Sequence, residues 1–476
     1  MNTLAPQAQA LHDLSAHELL SAYGNRSLSP VEVMRELLDH VQRWEPALGA
    51  TYLLRPEAAL TQARESEARW LRGQPLGLID GVPATVKDNI ATRGDPTPLG
   101  TAAMPLVAAP QDAPAAARLR EAGAILFAKT TMPDYGMLSS GLSSLHGNTF
   151  NPWDLGKTPG GSSAGAGAAA AAGYGPLHVG TDIGGSIRLP AGWCGVFGLK
   201  PSLGRVPIDP PYTGRCAGPM TRSVADAALM MQVLSRPDAR DSMSLPAHGI
   251  DWSGFDMDPA QVRGLRIGLL LEAGCGLPVH PRVRAAVEQA AGWLETAGAH
   301  VEHLRPWLTP QMLDGLDQFW RMRSHMDLQA LSASQRDAVL PFIRDWAGSA
   351  SSLTPMQLYT ASQQSHLVRV ATVQATTAFD YVLSPVAPIT AFAAQIPCPT
   401  NDPLRPLEHI GFTVPYNMSE QPAASVPCSH DGALPIGVQV AGRRFDDLGV
   451  LRLSRVLEQL RPPLPAWPMP ASATPA

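Results

Sequence analysis

Two glycine-rich segments of this sequence each carry a serine that could act as a nucleophile. The first is PGGSSAGAGA at 159–168 and the second is GTDIGGSIR at 180–188, so that Ser162 and Ser186 lie 24 residues apart. Glycine lets a turn aim several backbone N–H groups at one point, which a developing oxyanion requires. A serine attacks a carbonyl only when a base stands beside it. The pattern indicates acyl transfer, and the base must come from elsewhere in the chain.

Other functions of glycine-rich segments fit these residues less well. A phosphate-binding P-loop needs a glycine five residues before Gly156, where this chain has Asn151. A dinucleotide fingerprint fits 165–170, but it must follow a buried strand, and here polar and turn residues precede it. The α/β-hydrolase elbow fails because Arg188 replaces its last glycine. Tight turns without function would explain one Gly-Gly-Ser segment better than two.

Histidines and cysteines give no support to a metal centre or a disulfide framework. The thirteen histidines form no H-E-x-x-H motif, and the five cysteines are scattered without a C-x-x-C pair. A Ser–His–Asp triad would need His146, His178 or His280 close to Ser186, and we interpret all three as structural. The sequence therefore predicts no metal and no cofactor.

The elements around the two serine segments alternate between helices and strands. Residues 81–89 form a short apolar run that turns polar, which predicts a strand ending at Lys87. Residues 112–129 predict a helix, a glycine stop and a buried strand, and this rhythm indicates a sheet with helices on its faces. Further helices are expected over 12–46, 56–72, 281–297, 446–460 and most of 305–375, and further strands over 265–271, 300–304, 379–384 and 436–440.

Length, charge and composition exclude several other classes of protein. The chain has 476 residues, a net charge of −5 and a pI near 6.2, so it has no basic excess for binding nucleic acid. We see neither a secretory signal nor an uncharged apolar run of 18 residues, and unpaired cysteines suit a reducing compartment. A cytoplasmic protein without a membrane partner is expected. The Pro/Ala-rich tail at 462–476 is expected to be disordered.

The serine segments and several others resemble the amidase signature hydrolases. The matching segments are VKDN at 86–89, NPWD at 151–154, PGGSS at 159–163, GTDIGGSIR at 180–188, CGVFGLKP at 194–201 and LPIGVQ at 434–439. One departure is Ala164, where the family most often has glycine. The resemblance covers nearly the whole chain except roughly 230–375.

The resemblance implies a catalytic set of two serines and a lysine. Ser186 would be the nucleophile, Ser162 a bridging serine and Lys87 the base. A lysine has an ordinary pKa of about 10.4, so burial must lower the pKa of Lys87 before it can accept a proton. The relay would return that proton to the leaving amine. The family holds its bridging serine after a cis peptide bond, which would here join Gly161 to Ser162.

The turn before the nucleophile would bind the oxyanion. The oxyanion hole is expected to consist of the backbone N–H groups of Ile183, Gly184, Gly185 and Ser186. Such donors typically contribute about 3 kcal/mol each. Asp182 and Arg188 flank this turn, and we expect their ion pair to hold its shape, with Ser163 hydrogen-bonded nearby.

The family implies an α/β fold made of one large domain. Its twisted mixed sheet of about eleven strands would be flanked by helices on both faces. This amidase signature domain would span 1–461, with its core motifs at 81–207. The resemblance implies a small-molecule amide as the partner in the reaction and suggests a homodimer.

The substrate is expected to present an apolar or aromatic group to the enzyme. In related enzymes the segment after the Lys-Thr strand lines the pocket, and here that segment contains Tyr135, Gly136, Met137 and Leu138. The aromatic residues of 305–375 are more typical of core than of a pocket. The predicted reaction is hydrolysis of a carboxylic amide, aryl amide, anilide, carbamate or urea, through an acyl-enzyme, to an acid and ammonia or an amine.

Two other functions remain open. The chain could be the glutaminase subunit of a tRNA-dependent amidotransferase, although 412–425 contains only Glu420 as a charged residue to anchor glutamine. It could also be a catalytically silent scaffold, but such a relative would typically have lost Lys87, Ser162 or Ser186. A dinucleotide oxidoreductase is a remote further alternative.

Overall fold

The architecture is an eleven-stranded mixed sheet flanked by helices, which confirms the predicted fold. The computed structural model describes residues 10–247 and 249–470. Numbered along the chain, the strands are β1 (Thr51–Leu54), β2 (Pro83–Lys87), β3 (Ile125–Thr130), β4 (Leu142–Ser143), β5 (Gly147–Asn148), β6 (Leu177–Asp182), β7 (Phe197–Lys200), β8 (Cys216–Thr221), β9 (Arg266–Leu269), β10 (His300–His303), β11 (Tyr381–Pro385), β12 (Ala423–Asp431) and β13 (Leu434–Gly442).

The large sheet combines parallel and antiparallel pairs. Its order from edge to edge is β1-β3-β2-β6-β8-β7-β12-β13-β11-β9-β10, while β4 and β5 form a separate hairpin. Strands β3, β2 and β6 run parallel, as do β11, β9 and β10. The remaining neighbours in the large sheet pair antiparallel.

Helices cover the sheet and follow local sequence signals. Helix α2 is an example, because Ser29 caps its first turn and forms a capping box with Glu32, while Pro30 occupies the first helical position. The helices are α1 (Ala16–Asn25), α2 (Pro30–Leu48), α3 (Pro56–Leu71), α4 (Pro114–Glu121), α5 (Ala164–Ala172), α6 (Arg188–Cys194), α7 (Val224–Leu234), α8 (Pro281–Thr296), α9 (Pro310–Gln329), α10 (Ala333–Ala338), α11 (Pro341–Gly348), α12 (Pro355–Thr376), α13 (Val414–Met418) and α14 (Asp447–Leu460). Within the described ranges, none of them has both the length and the apolar character needed to cross a bilayer.

Helix α5 begins directly after the first serine segment and contains only glycine and alanine. All nine of its residues are buried. A Cβ atom at Gly165 would lie 2.1 Å from the carbonyl oxygen of Ala50, so the chain approaches too closely for a side chain. This close packing fixes the position of Ser162 and Ser163 at the start of the helix.

Two neighbouring parallel strands bring the remaining motif residues to the same edge of the sheet. In the register of β2 and β6, Val86 lies opposite Val179, so both strands run toward one edge. Strand β2 ends at Lys87 and β6 ends at Asp182, immediately before the turn at 183–186. The carboxyl ends of parallel strands in such sheets are where ligands bind.

The described part of the C-terminal tail, 462–470, has no regular secondary structure but contacts the folded chain. The ring of Trp467 lies 6.0 Å from that of Trp153, and the guanidinium of Arg222 lies 4.4 Å from the Trp467 ring centroid. The predicted disorder of 471–476 falls outside the described residues. The domain limit at residue 461 stays a prediction.

Candidate active site

A cavity of about 350 Å³ lies where β2 and β6 end. Several of the residues expected at the site line it, together with aromatic residues of α9 and α11. Those lining residues are Tyr135, Gly136, Met137, Leu138, Ser162, Asp182, Ile183, Gly184, Ser186, Trp320 and Trp346. Lys87 lies behind this wall with no exposed surface. The structure thus brings the two serine segments and the predicted substrate segment together.

The Lys87 ammonium contacts one of the two serines directly. Its Nζ atom donates to Ser162 Oγ at 2.8 Å and to Thr181 Oγ1 at 3.0 Å. Burial lowers the pKa of Lys87 to about 7. The negative charges of Asp182 and Asp88 raise this pKa, and the positive charge of Arg215 lowers it further. Lys87 can therefore be neutral near physiological pH, which is the state that accepts a proton.

Ser162 and Ser186 share the cavity wall, but no hydrogen bond joins their hydroxyl groups. The peptide bond between Gly161 and Ser162 is cis, as the resemblance implied. The Ser163 amide donates to the Ser186 carbonyl oxygen at 3.1 Å, which ties the two segments together through their backbones. Among the described residues, the Ser186 hydroxyl has no hydrogen-bond partner. In the absence of substrate, catalytic hydrogen bonds are often long and tighten in the complex.

The turn at 183–186 presents unoccupied backbone donors beside Ser186. The amides of Ile183, Gly184 and Ser186 have no acceptor within the described chain. The Gly185 amide differs, because it donates to Asp182 Oδ1 at 2.8 Å. The structure thus leaves three of the four expected amides free to bind an oxyanion. Gly185 instead supports the turn, with a φ of +129° that favours glycine.

A buried ion pair holds this turn from behind. Arg188 contacts Asp182 through Nη2–Oδ1 at 2.9 Å and Nε–Oδ2 at 3.0 Å, and neither side chain is exposed. Burial alone would raise the pKa of Asp182, but the Arg188 charge and hydrogen bonds lower it below its usual range. The predicted pair is therefore present. Ser163 Oγ lies 3.2 Å from both the amide and the carbonyl oxygen of Thr181.

Two polar residues near the C-terminus complete this support. Asn417 Oδ1 accepts from Arg188 Nη2 at 2.6 Å, and its Nδ2 donates to Asp182 Oδ1 at 2.9 Å. Gln439 Oε1 accepts from Arg188 Nη1 at 2.8 Å. Gln439 ends the matching segment at 434–439, but the contacts of both residues with Arg188 come from the fold.

Replacing Asp182 with asparagine is expected to lower the free energy of unfolding by about 3–5 kcal/mol, because Arg188 would remain buried without its counter-ion. Urea unfolding followed by circular dichroism measures this loss. As a control, Glu302→Gln removes the exposed pair with Arg266 and should cost less than about 1 kcal/mol. Equal losses for the two variants would contradict the structural role of Asp182.

Apolar side chains lie beside Gly184 in this turn. A Cβ atom at Gly184 would lie 3.5 Å from both Trp320 Cη2 and Ile410 Cδ1, which places these side chains beside the turn. A Cβ atom at Gly136 would lie 3.1 Å from Ser162 Oγ. The aromatic residues of 305–375 were expected to belong to the core. Of these, Trp320 and Trp346 also line the cavity, whereas Trp307 and Phe319 do not.

Charged residues that the sequence did not single out also line the cavity. They are Arg215, which precedes β8, and Arg323 and Asp327, which lie one turn apart on α9. Tyr212 joins them. No motif marks these residues. Arg323 and Asp327 lie within 230–375, which the family resemblance does not cover, and Arg215 belongs to none of the matching segments.

The three histidines that could supply a Ser–His–Asp triad, His146, His178 and His280, each have a structural partner. His178 is completely buried between Thr85 Oγ1 at 2.8 Å and the Gly175 carbonyl oxygen at 2.9 Å, and burial lowers its pKa to about 4. His146 contacts Asp88 at 2.9 Å, and His280 caps α8. None of them lines the cavity.

The described residues contain one group close enough to hold a metal ion: His12, Glu36 and His40. His12 Nδ1 lies 2.7 Å from Glu36 Oε1, and the two histidine rings stack with centroids 3.7 Å apart. None of these residues lines the cavity.

Comparisons with known proteins agree with this geometry. The amidase family model matches residues 32–451. A Glutamyl-tRNA(Gln) amidotransferase subunit of Myxococcus xanthus is 35% identical over 94% of this chain and 97% of its own. A solved bacterial aryl acylamidase of the amidase signature family is similar with a TM-score of 0.86, at 30% identity over 95% of this chain and 97% of that one. The corresponding amidotransferase subunit of Thermotoga maritima, also solved, has a TM-score of 0.79, at 26% identity over 98% and 99% of the two chains.

Proposed function

This chain belongs to the amidase signature family, whose enzymes act on C–N bonds, and from that premise we propose that it hydrolyses a small amide with an apolar or aromatic group through an acyl-enzyme on Ser186. The observation that carries this proposal is the buried contact of 2.8 Å between Lys87 Nζ and Ser162 Oγ, beside an apolar cavity that also contains Ser186. The five unpaired cysteines suit a reducing compartment such as the cytoplasm.

The first half of the reaction forms the acyl-enzyme. Ser186 Oγ attacks the amide carbon while its proton passes to Ser162, whose own proton passes to neutral Lys87. The tetrahedral oxyanion is bound by the free amides of Ile183, Gly184 and Ser186. Its collapse breaks the C–N bond, and the departing nitrogen takes a proton from Ser162 as Lys87 returns one to that serine.

The second half releases the acid. A water molecule gives a proton to the same relay and attacks the ester carbon of the acyl-enzyme. When the second oxyanion collapses, Ser186 recovers its proton through Ser162 from Lys87. The net reaction consumes one amide and one water and yields a carboxylic acid and ammonia or an amine.

The apolar wall supports an apolar or aromatic substrate group. Trp320 and Ile410 lie beside the oxyanion turn, and Met137 and Leu138 line the same cavity. Burying such a group removes apolar surface from water, which stabilises binding by about 25 cal/mol for each Å². Anilides, aryl amides and related carbamates or ureas all present such a group.

Replacing Trp320 with alanine is expected to lower kcat/KM for an anilide about 10–100-fold relative to acetamide, because an apolar contact beside the reacting carbon is lost. Steady-state rates of amine and ammonia release give this ratio. Trp307→Ala is the matched control, because Trp307 lies outside the cavity and donates to Thr372 Oγ1 at 3.0 Å. If both variants changed the ratio equally, Trp320 would not contact the substrate.

A second candidate function is the glutaminase subunit of an amidotransferase. Curated relatives with an amidotransferase name are 31–35% identical to this chain over 94–98% of its length. In addition, Arg215, Arg323 and Asp327 at the cavity offer charges that could bind the α-carboxylate and α-ammonium of glutamine. This function would require protein partners, whereas the first one requires a single chain or a homodimer.

Release of ammonia or amine from a panel of compounds tests these alternatives. The panel contains aliphatic amides, acetanilide, phenylurea, a phenylcarbamate and glutamine, and Ser186→Ala serves as the blank for contaminating hydrolases. Turnover of an aromatic compound by the purified chain alone supports the proposed function. Turnover of glutamine alone supports the glutaminase function, and no turnover of any compound by the isolated chain contradicts the proposed function.

A further inference from the structure

Two arginines from distant parts of the chain meet at the cavity. Arg215 directly precedes β8 and Arg323 lies on α9, and both line the cavity together with Tyr212. The guanidinium carbon of Arg215 lies 5.9 Å from the centroid of the Tyr212 ring, and that of Arg323 lies 5.0 Å from it. One aromatic ring therefore contacts both cations.

Both arginines lie next to the oxyanion turn. In the antiparallel register of β8 and β6, the last pair joins Cys216 to Asp182. Arg215 directly precedes this pair along the chain, and Ile183, the first residue of the turn, directly follows it. On α9, Arg323 follows Trp320 by one turn, and Trp320 contacts the turn at Gly184. A substrate bound at Ser186 therefore occupies the same cavity as these two charges.

Neither arginine is neutralised by an acid. Arg215 Nη2 donates to the Pro210 carbonyl oxygen, and Arg323 Nη2 lies 3.4 Å from Met137 Sδ. The buried Nε atom of Arg323 has no hydrogen-bond partner. Among the residues described, no carboxylate oxygen lies within 4 Å of either guanidinium, although Asp327 lines the same cavity.

The two charges also destabilise each other. Burial, followed by the charge of Arg323, lowers the pKa of Arg215 below its usual range, and the smaller opposing effects of Tyr212 and Asp241 do not reverse this. Like charges held close together in a partly buried site cost electrostatic free energy, and a bound anion would recover it. A carboxylate suits this position best, because the planar guanidinium matches it with two parallel hydrogen bonds.

We propose that Arg215 and Arg323 form a carboxylate-binding subsite, so that the preferred amide carries a carboxylate as well as its apolar group. This inference rests on the proposed amide hydrolysis and specifies its substrate class. The cavity has room for both parts, since the apolar wall of Trp320, Ile410 and Met137 and the two arginines line the same space.

Matched substrate pairs test the subsite. The first pair places the charge on the amine side: 4-acetamidobenzoate and its methyl ketone, 4-acetamidoacetophenone. The second places it on the acyl side: succinanilate and its methyl ketone, levulinanilide. In at least one pair, kcat/KM for the carboxylate is expected to exceed that for the ketone by about 10–100-fold, as is usual for a charge-assisted hydrogen bond in a binding site. Equal rates in both pairs would overturn the proposal.

Variants of Arg215 and Arg323 test whether these residues cause the preference for carboxylate substrates. Arg215→Gln and Arg323→Gln should each reduce the carboxylate-to-ketone ratio by at least about tenfold, and Arg323→Lys should retain part of it because the charge remains. Arg305→Gln is the matched control, since Arg305 is exposed and lies outside the cavity. A ratio that stays unchanged in both Gln variants would overturn the proposal.

A binding measurement separates this inference from the proposed hydrolysis. Isothermal titration of the Ser186→Ala variant with both members of each pair does not depend on turnover. If no amide is hydrolysed but the carboxylate binds at least about tenfold more tightly than its ketone, and Arg323→Gln removes that difference, the subsite stands while the hydrolysis fails. Without such a difference in either pair, the subsite fails whatever the enzyme hydrolyses.

Discussion

Replacing Ser186 with alanine is expected to lower kcat/KM for the best amide by a factor on the order of 10⁴ to 10⁶, because the acyl-enzyme cannot form without its nucleophile. The remaining rate would come from the oxyanion donors and from substrate binding. Ser186 lines the cavity beside three free amides, so that its removal leaves the rest of the site in place. Amine or ammonia release, corrected for the rate without enzyme, measures the loss.

Ser139→Ala is the matched control for this variant. Ser139 is also a half-buried serine on the cavity wall, and the proposed mechanism gives it no part in proton transfer. We expect less than about a tenfold change from it. A fluorophosphonate probe followed by peptide mass spectrometry should label Ser186 in the native enzyme. Activity that survives Ser186→Ala, or labelling at another serine, would show that the nucleophile lies elsewhere.

Local sequence patterns predicted the elements that carry the candidate site residues. Glycine and serine recur densely at 159–168 and 180–188, because a tight turn beside a small-residue helix tolerates few other side chains. The apolar run at 81–89 predicted a strand that ends at Lys87, and β2 does end there. The role of Lys87 as the base came from the family resemblance. The order of the strands did not follow from such patterns, and the family resemblance supplied only the mixed sheet of about eleven strands.

Contacts between distant segments set the limit of sequence analysis. Arg188 binds Asn417 and Gln439, which lie more than 200 residues away. The three residues lie on α6, α13 and β13, and only the folded chain brings these elements together. Arg215 and Arg323 are also far apart in the sequence. They meet at the cavity because Arg215 precedes β8 and Arg323 lies on α9. The Gly185 amide was expected to face the oxyanion, but the Asp182 carboxylate beneath it accepts its hydrogen bond. Such competition between acceptors depends on geometry and leaves no trace in residue types.

The largest pH effect is expected at Lys87. Since burial lowers its pKa to about 7, kcat/KM should fall about tenfold for each pH unit below that value, as the protonated amine cannot accept a proton. Above pH 7 the lysine is neutral and the rate should level off. Lys87→Met keeps an apolar side chain of similar length, and we expect it to lower kcat/KM about 10²–10⁴-fold and to abolish this acid limb.

Lys129→Met is the control that makes this pH profile informative. Lys129 is also buried, burial lowers its pKa to about 8, and its Nζ atom donates to the Pro96 carbonyl oxygen at 3.1 Å. It does not line the cavity, so its removal should leave the acid limb in place. Lys87→Arg adds a second check, because a guanidinium keeps the charge but cannot act as a base near neutral pH. If Lys87→Met retained the limb near pH 7, the proton would be accepted by another group. The relay through Ser162 would then be wrong even with Ser186 as the nucleophile.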